Sequence, residues 1–396
     1  MSRRILFVIL PEKGHIHPMI GPARVLMKRG HQVAFHCASD VSSELAKMGL
    51  SWHRVDGAAT APPRADNRGA AFADRARDPG ALRRWIDELL LDGVPAQVPV
   101  VEQAIREFGP DVVVADPMAY QAPIAAMRAG LPWAALSSSL NPVLPDSLDS
   151  ELLRTVRSLA LKRDALFARF GCDARFRGCD CLSPHFTAVF SSEELVGAAH
   201  DDIELVGPSL PHGARGEDPA FPWERIDSRL PLVYVSLGSQ NYHHPHIFRT
   251  AIEAARGRVV QLVVAAEDLA NTDALGALPP NVILTGYAPQ LALLERARAM
   301  ITHGGANSVM EAMTAGVPLL VTPLINDQPH NAYFVQRSGA GLVLPLERTN
   351  PDVCWQAIAQ LLEDGPERRA TQRIADAYRS KDGAERTADR IVELAS

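Results

Sequence analysis

The most informative part of the chain is residues 299–331, AMITHGGANSVMEAMTAGVPLLVTPLINDQPHN. A short apolar run ends at Thr302, His303-Gly304-Gly305 follows at once, and small and apolar residues then recur at helical spacing. This order predicts a strand, a tight glycine turn and a helix. Glycines let backbone N–H groups approach a ligand, and a helix start adds unpaired donors and the positive end of a dipole. The turn therefore predicts a site for an anion, most simply a phosphate.

An ordinary strand-to-helix turn that uses glycine for geometry alone is the alternative for the His-Gly-Gly motif by itself. The residues that follow favour a ligand. Glu311 lies one helical turn beyond Asn307, residues 317–321 predict the next strand, and Asp327-Gln328 follows in the next loop. In a parallel α/β unit such loops meet at the carboxyl ends of the strands, where ligands bind.

Residues 303–332, HGGANSVMEAMTAGVPLLVTPLINDQPHNA, resemble the donor-binding signature of nucleotide-sugar-dependent glycosyltransferases of the GT-B fold. That family contains bacterial natural-product and macrolide enzymes and plant secondary-metabolite glucosyltransferases. The resemblance covers nearly the whole chain, strongest over residues 286–331, good over 4–30 and weak over 57–110. It implies an α/β fold of two facing Rossmann-like domains with parallel sheets and a cleft between them.

The length of 396 residues also favours two α/β domains. We expect an N-terminal acceptor-binding domain (1–210), a linker (211–230), a nucleotide-sugar-binding domain (231–378) and a helix that returns to the N-terminal domain (379–396). Apolar runs predict strands at 4–10, 32–37, 51–55, 111–115, 131–136, 187–190 (the last of that domain), 232–237, 259–264, 281–285 and 317–321. Helices are predicted at 19–29, 41–48, 81–108 with interruptions near its prolines, 120–129, 150–170, 245–255, 290–298 and 353–362, and a long loop at 57–78.

Composition excludes several classes of protein. The formal charge of -6 and the pI near 6.1, without basic runs, indicate no nucleic-acid partner. No apolar stretch approaches the ~18 residues of a membrane span, so we expect no stable membrane insertion. The apolar run after the first arginines is too short for a signal peptide, which favours a cytoplasmic protein.

Five cysteines in a chain of this length predict free thiols rather than a disulfide framework. Cys172, Cys179 and Cys181 cluster, but without a C-x-x-C pair or a nearby histidine they do not predict a metal site. A polar loop is the simpler interpretation of the histidines at 243, 244 and 246. No Asp-x-Asp motif was found that would hold a diphosphate through a metal. We therefore expect a metal-independent protein without a cofactor.

Transfer of a sugar to a hydroxyl needs a base, and histidine has a suitable pKa near neutrality. The loop predicted after the first strand contains His15 and His17 in the sequence GHIHP. The resemblance places His15 on the family's catalytic histidine and leaves His17 as a contact or spectator. Asp116 ends the predicted fourth strand and matches the family's aspartate, which would orient the ring and stabilise its charge. The alternative is that Asp116-Pro117 only initiates a turn.

The resemblance assigns the donor site to the C-terminal domain. The pyrophosphate contacts that it implies are His303, Gly304, Gly305, Asn307 and Ser308, with Gly238 and Ser239 closing from a neighbouring turn. Glu311 would accept hydrogen bonds from the ribose. The base-binding segment corresponds to Tyr287, Ala288 and Gln290, where plant members usually carry tryptophan in place of the tyrosine. That departure leaves uridine and thymidine both open. Asp327 and Gln328 would meet the sugar hydroxyls, which predicts a glucose-type donor.

The acceptor site is expected in the N-terminal domain, at Glu12, Met118 and Ser138, with Trp85 and the segments 11–13, 57–78 and 137–141. An apolar pocket of this kind suits an aromatic or polyketide-like alcohol. We predict an inverting enzyme, monomeric or homodimeric, that moves a hexose from a UDP- or TDP-sugar to a small, largely apolar natural product, as in antibiotic biosynthesis. The alternatives are a nucleotide-sugar epimerase of the same architecture and a non-catalytic binding protein. An NAD-dependent oxidoreductase is disfavoured because neither glycine turn has the Gly-x-Gly-x-x-Gly pattern.

Overall fold

The computed structural model describes residues 2–50, the short strand at 53–54, and residues 68–210 and 220–396. Its strands in the N-terminal half are β1 (Arg4–Ile9), β2 (Gln32–Cys37), β3 (His53–Arg54), β4 (Val112–Ala115), β5 (Trp133–Ser137), β6 (Arg175–Arg177), β7 (Asp180–Leu182), β8 (Phe186–Val189) and β9 (Glu204–Leu205). The C-terminal half contains β10 (Leu232–Ser236), β11 (Gln261–Ala265), β12 (Val282–Thr285), β13 (Ala297–Thr302), β14 (Leu319–Val321) and β15 (Gly341–Val343).

Helices cover both sheets. Those of the N-terminal half are α1 (Lys13–Lys28), α2 (Ser42–Lys47), α3 (Gly69–Ala76), α4 (Pro79–Asp87), α5 (Val94–Phe108), α6 (Gln121–Arg128), α7 (Glu151–Ser158), α8 (Ala160–Arg169) and α9 (Glu193–Val196), with a π-helical segment at Glu88–Asp92. Those of the C-terminal half are α10 (Pro245–Ala255), α11 (Gln290–Leu294), α12 (Ala306–Thr314), α13 (Gln328–Ser338), α14 (Pro351–Leu362), α15 (Pro366–Arg379) and α16 (Gly383–Leu394). Short 3₁₀ turns lie at Asn141–Val143, Trp223–Arg225, Glu267–Asn271, Asp273–Leu275 and Leu346–Arg348.

The two large sheets are parallel throughout. The N-terminal sheet has the order β3-β2-β1-β4-β5-β8-β9 and the C-terminal sheet the order β12-β11-β10-β13-β14-β15, while β6 and β7 form a separate antiparallel hairpin. Central strands are apolar on both faces because helices cover both sides; residues 5–9 of β1 are at most 1% exposed. The predicted α/β fold of two Rossmann-like halves is confirmed.

The strand order places a topological switch point in each sheet. β1 lies beside β4, and β10 lies beside β13, although long stretches of chain separate each pair. In open parallel sheets the connections leave these central strands in opposite directions and open a crevice at their carboxyl ends. The residues that follow β1 and β4 therefore meet in one half, and those that follow β10 and β13 meet in the other.

The last helix lies against the first. Arg29 at the end of α1 forms ion pairs with Glu385 and Asp389 of α16, at 2.7 Å for Asp389. The two helices approach closely because Gly21 faces Ala384: a Cβ on Gly21 would lie 2.9 Å from the methyl of Ala384. The C-terminal helix thereby packs on the N-terminal half.

Several predicted boundaries are wrong. The first helix begins at Lys13 instead of residue 19, because the Glu12 carbonyl already accepts hydrogen bonds from His15 and Ile16. The predicted loop at 57–78 contains α3, whose Phe72 is fully buried and packs edge-to-face on Trp85 at 5.3 Å. Residues 57–67 of that loop, 51–52 and 55 of the predicted third strand, and 211–219 of the linker lie outside the described residues.

Other differences concern the ends and number of elements. The helix predicted at 290–298 ends at Leu294, because Ala297 already pairs with Leu232 as part of β13. The helix predicted at 150–170 is divided into α7 and α8, and the one at 81–108 is divided by the π-helical segment. The strand at Phe186–Val189 is not the last of its half, since β9 pairs with it. Such two- and three-residue strands depend on their partners and have little pattern of their own.

All five cysteines, Cys37, Cys172, Cys179, Cys181 and Cys354, are free thiols. Among the residues described, no cluster of three histidine, cysteine or acidic side chains could hold a metal ion. In the same part of the chain, no helix combines the length and apolar character needed to cross a membrane.

Candidate active site

His15 and Asp116 meet at the switch point of the N-terminal sheet. His15 is the third residue of α1, and Asp116 directly follows β4. The ring nitrogen Nδ1 of His15 lies 2.6 Å from Oδ2 of Asp116, which is completely buried. The other carboxylate oxygen accepts a hydrogen bond of 2.9 Å from the Met118 backbone N–H, so the aspartate also holds its own turn. Both interpretations of Asp116, as a partner of the histidine and as a turn former, therefore describe the same side chain.

The hydrogen bond defines the tautomer of His15. An ionised carboxylate can only accept a hydrogen bond, so in the neutral ring Nδ1 is the protonated nitrogen and donates to Asp116. The hydroxyl oxygen of Ser138 lies 3.0 Å from the same nitrogen. The other ring nitrogen, Nε2, is then the atom that can take a proton. The side chain of His15 is 19% exposed and lines a cavity between the two halves of the molecule.

Opposing forces act on the charge of His15. Burial by itself lowers the pKa, but the negative charge and hydrogen bond of Asp116 outweigh it, with smaller contributions from Glu12 and Asp327, and raise the pKa to about 9. The resting pair is therefore an imidazolium beside carboxylates at neutral pH.

The glycine turn after β13 is built around the His303 ring. A Cβ on Gly238 would lie 2.7 Å from Cε1 of that ring, and a Cβ on Gly305 would lie 2.6 Å from its Nε2. Glycine at both positions is what makes room for the imidazole between the turns after β10 and β13. Gly304 has a φ of +86° and faces Val321, so it shapes the turn from behind.

His303 is neutral at physiological pH. Burial lowers its pKa to about 4, and a hydrogen bond with the Ser236 backbone offsets this only in part. The ring can therefore donate or accept a hydrogen bond from a ligand, but it carries no full charge. The start of α12, directly after Gly305, supplies backbone N–H groups and the positive end of the helix dipole at the same place.

A second polar group lies beside that helix start. Gln290 donates from Nε2 to Oε2 of Glu311 at 2.6 Å and lies 3.4 Å from the hydroxyl of Ser308. Glu311 is 2% exposed and lines the cavity. Tyr287 lines it as well, and the ammonium of Lys13 from the other half lies 4.8 Å from the centre of its ring.

Asp327 and Gln328 begin α13 at the border of the cavity. The side-chain oxygen of Gln328 accepts hydrogen bonds from the backbone N–H groups of Leu324 and Ile325, at 2.9 and 3.1 Å. Oδ2 of Asp327 accepts one from Asn331 at 3.0 Å, and burial raises the pKa of this carboxyl. The Asp327 side chain does not cap the helix, so its carboxylate is held towards the cavity by Asn331.

One cavity of about 270 Å³ between the two halves is lined by most of the predicted site residues. The predicted residues that line it are Glu12, His15, Met118, Ser138, Gly238, Ser239, Tyr287, Ala288, Gln290, His303, Gly305, Asn307, Ser308, Glu311, Asp327 and Gln328. Neither Asp116 nor Gly304 lines the cavity. Asp116 lies behind His15, and Gly304 is the residue of the glycine turn that faces Val321. Asn307 also joins the halves, because its Nδ2 donates to the carbonyl of Gly14 at 3.0 Å.

The apolar wall of the cavity comes from a region where the sequence resemblance is weak. Trp85 and Ile86 of α4, Leu89 and Leu90 of the π-helical segment, and Leu152 of α7 line it. The wider turn of a π-helix places two consecutive leucines at the cavity, and such segments are frequent at functional sites. Of these residues only Trp85 was predicted. The two leucines could not be, because a π-helical turn has no periodicity that a sequence pattern would reveal. Glu267 and Asn326 also line the cavity without a recognisable motif.

Comparisons with known proteins show which proteins this chain resembles. The family model described as "Erythromycin biosynthesis protein CIII-like, C-terminal domain" matches residues 251–394. The chain is 28% identical to demethyllactenocin mycarosyltransferase of Streptomyces fradiae, over 99% of this chain and 86% of that protein. It is 26% identical to the NDP-glycosyltransferase YjiC of Bacillus subtilis strain 168, over 98% of this chain and 96% of that protein. The solved structure of the glycotransferase of kitacinnamycin superposes with a TM-score of 0.78 and 26% identity, over 99% of both chains.

Two facing Rossmann-like halves with a shared cavity, together with these similarities, define the class. The chain has the GT-B fold and is similar, over nearly its whole length, to nucleotide-sugar-dependent glycosyltransferases of that fold. These similarities support a glycosyltransferase of the natural-product type that uses a nucleotide sugar.

Proposed function

We propose that this protein is an inverting glycosyltransferase that transfers a hexose, preferably glucose, from a UDP- or TDP-sugar to a hydroxyl group of a small, largely apolar natural product. The observation that supports the chemistry is the contact of 2.6 Å between His15 Nδ1 and Asp116 Oδ2, in the same cavity as the glycine turn at His303. The glycosyltransferase names of the relatives support transfer, and none of the three compared above supports the epimerase alternative.

His15 is the general base in this proposal. With Nδ1 engaged by Asp116, Nε2 removes the proton of the acceptor hydroxyl as its oxygen attacks the anomeric carbon. The buried carboxylate keeps the ring oriented and stabilises the imidazolium that forms. Attack occurs on the face opposite the leaving diphosphate, so an α-linked donor gives a β-linked product.

The donor occupies the C-terminal half. The diphosphate lies at the start of α12, against the neutral His303 ring, Asn307 and Ser308, where backbone N–H groups and the helix dipole favour negative charge. Glu311, oriented by Gln290, accepts hydrogen bonds from the ribose. The ring of Tyr287 offers a stacking face to the base. No metal is needed in this arrangement.

The acceptor occupies the N-terminal half. Its apolar body lies on the wall formed by Trp85, Leu89 and Leu90, and Glu12, Met118 and Ser138 surround the reacting hydroxyl near His15. An aromatic or polyketide-like alcohol fits a wall of this composition.

The test is an assay with UDP-glucose and TDP-glucose against a panel of aromatic and macrocyclic alcohols, in EDTA, with products detected by mass spectrometry. Diphosphate release should require an acceptor and should give a β-glucoside. His15→Ala should reduce turnover by at least ~10²-fold, the usual contribution of a positioned general base. The donor Kd, measured by calorimetry, should change little.

The exposed His246, remote from His15 in sequence, provides a control. His246→Ala should keep full turnover. Full activity of His15→Ala would remove His15 from the mechanism, an α-linked product would contradict inversion, and loss of turnover in EDTA with rescue by magnesium would contradict the metal-free assignment.

A further inference from the structure

The cavity between the halves has an unusual charge composition for a site that receives a diphosphate. Four carboxylates line it, from Glu12, Glu267, Glu311 and Asp327. Among the lining residues that the structure describes, Lys13 is the only lysine or arginine. A nucleotide sugar carries its negative charge on the diphosphate, and that charge grows on the leaving oxygen as the sugar departs. Because Lys13 is the only lysine or arginine among these lining residues, the cavity offers little full positive charge to the diphosphate.

Two of the three histidines that line the cavity, His15 and His303, do not fill this role. His303 has its pKa lowered to about 4 by burial, so it reaches the diphosphate as a neutral ring. His15 is paired with Asp116 at 2.6 Å and must be neutral to accept the proton of the acceptor. Backbone N–H groups at the start of α12 contribute partial charges only.

Lys13 is well placed to supply the missing charge. The next residue, Gly14, accepts a hydrogen bond of 3.0 Å at its carbonyl from Asn307, the second residue of α12. The backbone at the start of α1 therefore lies against the start of α12, where the diphosphate is proposed to bind. The Lys13 ammonium itself lies 4.8 Å from the centre of the Tyr287 ring, within the cavity, and interacts electrostatically with Glu267.

We propose that Lys13, carried by the acceptor-binding half, binds the diphosphate of the nucleotide sugar and stabilises it as the leaving group. This inference rests on the glycosyltransferase function proposed above. In the structure the ammonium lies over the Tyr287 ring; when a nucleobase stacks on that ring, the flexible four-carbon side chain moves to the neighbouring phosphates. The half that holds the acceptor and base then also contacts the donor.

The chemical step balances without further reactants. The bond between the anomeric carbon and the phosphate oxygen breaks, and its electron pair stays on the diphosphate. The acceptor oxygen forms the new bond to carbon and loses its proton to Nε2 of His15. Lys13 remains protonated throughout and stabilises the charge that the diphosphate gains by a charge-assisted hydrogen bond.

The experiment compares Lys13→Met with Lys28→Met, which removes an exposed lysine from the far end of the same helix. Calorimetry measures the Kd of UDP and TDP and of the corresponding nucleosides, uridine and thymidine, at several KCl concentrations. Lys13→Met should weaken diphosphate binding by at least about 10-fold, the usual effect of losing a hydrogen bond to a charged group. Nucleoside binding should stay within about 2-fold, because a nucleoside lacks the charge that Lys13 binds. The salt dependence of diphosphate binding should become shallower, Lys13→Arg should restore most of the affinity, and kcat with UDP-glucose should fall in Lys13→Met alone.

Other outcomes identify which idea fails. Equal diphosphate affinity in Lys13→Met and Lys28→Met would overturn the role of Lys13 while leaving the glycosyltransferase function intact. Equal weakening of nucleoside and diphosphate would mean that Lys13 acts only through the Tyr287 ring or Glu267, which also overturns the proposal. A wild-type protein that neither binds a nucleoside diphosphate nor transfers a sugar would overturn both proposals together.

Discussion

His15 is protonated at neutral pH, and this sets a condition on its proposed role as a base. The same Asp116 contact that orients the ring raises its pKa to about 9. Only the small neutral fraction can then take a proton at pH 7, although that fraction is a stronger base. The contact with Asp116 therefore lowers the fraction of His15 that is neutral at pH 7, but makes that neutral form more basic and fixes its orientation.

A prediction for pH follows from the sign of this shift. Because the active form is neutral, kcat/KM of the wild type should rise with pH and level off above about pH 9. In Asp116→Asn the main cause of the raised pKa is lost while burial still lowers it, so the rise should move towards or below pH 6.5, the ordinary histidine value. Its maximal turnover should fall, but less than in His15→Ala. Steady-state rates from pH 5.5 to 10 measure this; an unshifted profile in the variant would mean that His15 does not limit the rate.

The sugar preference is also a residue-scale prediction. Gln328 uses its oxygen for the backbone N–H groups of Leu324 and Ile325, which leaves its NH₂ group as the part that can meet a sugar. Gln328→Glu keeps the oxygen acceptor but removes the NH₂ donor, so it separates recognition from loop structure. We expect a higher kcat/KM for UDP- or TDP-glucose than for a TDP-2,6-dideoxy sugar, since missing hydroxyls leave buried polar groups unsatisfied at ~1–3 kcal/mol each.

The ratio of these two kcat/KM values should fall in both Gln328→Glu and Asp327→Ala. The matched control is Gln336→Glu, which makes the same amide-to-carboxylate change at an exposed position of α13 and should leave the ratio at its wild-type value. Ratios that stay the same in the two site variants would show that another part of the cavity selects the sugar.

At the scale of elements, the docking of α16 depends on backbone contacts. Gly383 at its first turn lies against the backbone after β9, where an added Cβ would lie 2.5 Å from the carbonyl oxygen of Pro208 and 2.6 Å from that of Gly207. These oxygens belong to backbone and cannot swing away as a side chain would. Ala384, Ala388 and Ile391 of the same helix are buried, so its displacement would expose apolar surface.

Gly383→Ala should therefore lower the free energy of unfolding by about 1–3 kcal/mol, the usual cost of overpacking. Gly365→Ala is the matched control, because a Cβ there meets only the carboxylate end of the flexible Glu367 side chain, at 3.3 Å. Urea denaturation followed by circular dichroism measures both. A wild-type midpoint for Gly383→Ala would show that α16 can shift without cost.

At the scale of the whole molecule, histidines whose pKa values are lowered by burial make stability depend on pH, and His303 and His330 have the largest shifts. Burial lowers the pKa values of His303 and His330 to about 4 from the ordinary 6.5. His330 also joins the halves, since its Nε2 lies 2.6 Å from the Ser150 hydroxyl at the start of α7. Between pH 4 and 6.5 the unfolded chain binds these protons and the folded chain does not, so the free energy of unfolding falls as pH falls.

Each such histidine contributes a slope of up to about 1.4 kcal/mol per pH unit in that window. The buried Asp180 acts in the opposite direction, because burial raises its pKa to about 7 despite hydrogen bonds from Ser137 and Asn141. The informative measurement is therefore the difference between variants: His330→Gln should show a shallower loss of stability from pH 6.5 to 4.5 than wild type or the exposed His246→Gln. Parallel curves for all three would contradict the effect of burial on His330.

The sequence by itself determined the α/β class, the two large parallel sheets and the positions of the polar residues that lie at their edges. It could do so because apolar runs, glycine turns and helix starts are local patterns whose period or composition survives in any context. Residues 303–308 illustrate this, because the turn and the start of the helix are both predicted from a few neighbouring positions. The family resemblance added the proposed roles of His15 and Asp116, which no local pattern predicts.

Only the tertiary structure decided which of these residues contact one another and which of them are charged at neutral pH. His15 and Asp116 are 101 positions apart and touch because β1 lies beside β4. The π-helical wall, the placement of Gly304 behind its turn and the position of Lys13 over Tyr287 depend on packing between distant segments. The same holds for the opposite pKa shifts of His15 and His303, because burial and neighbouring charge are properties of the folded environment and not of the residue type.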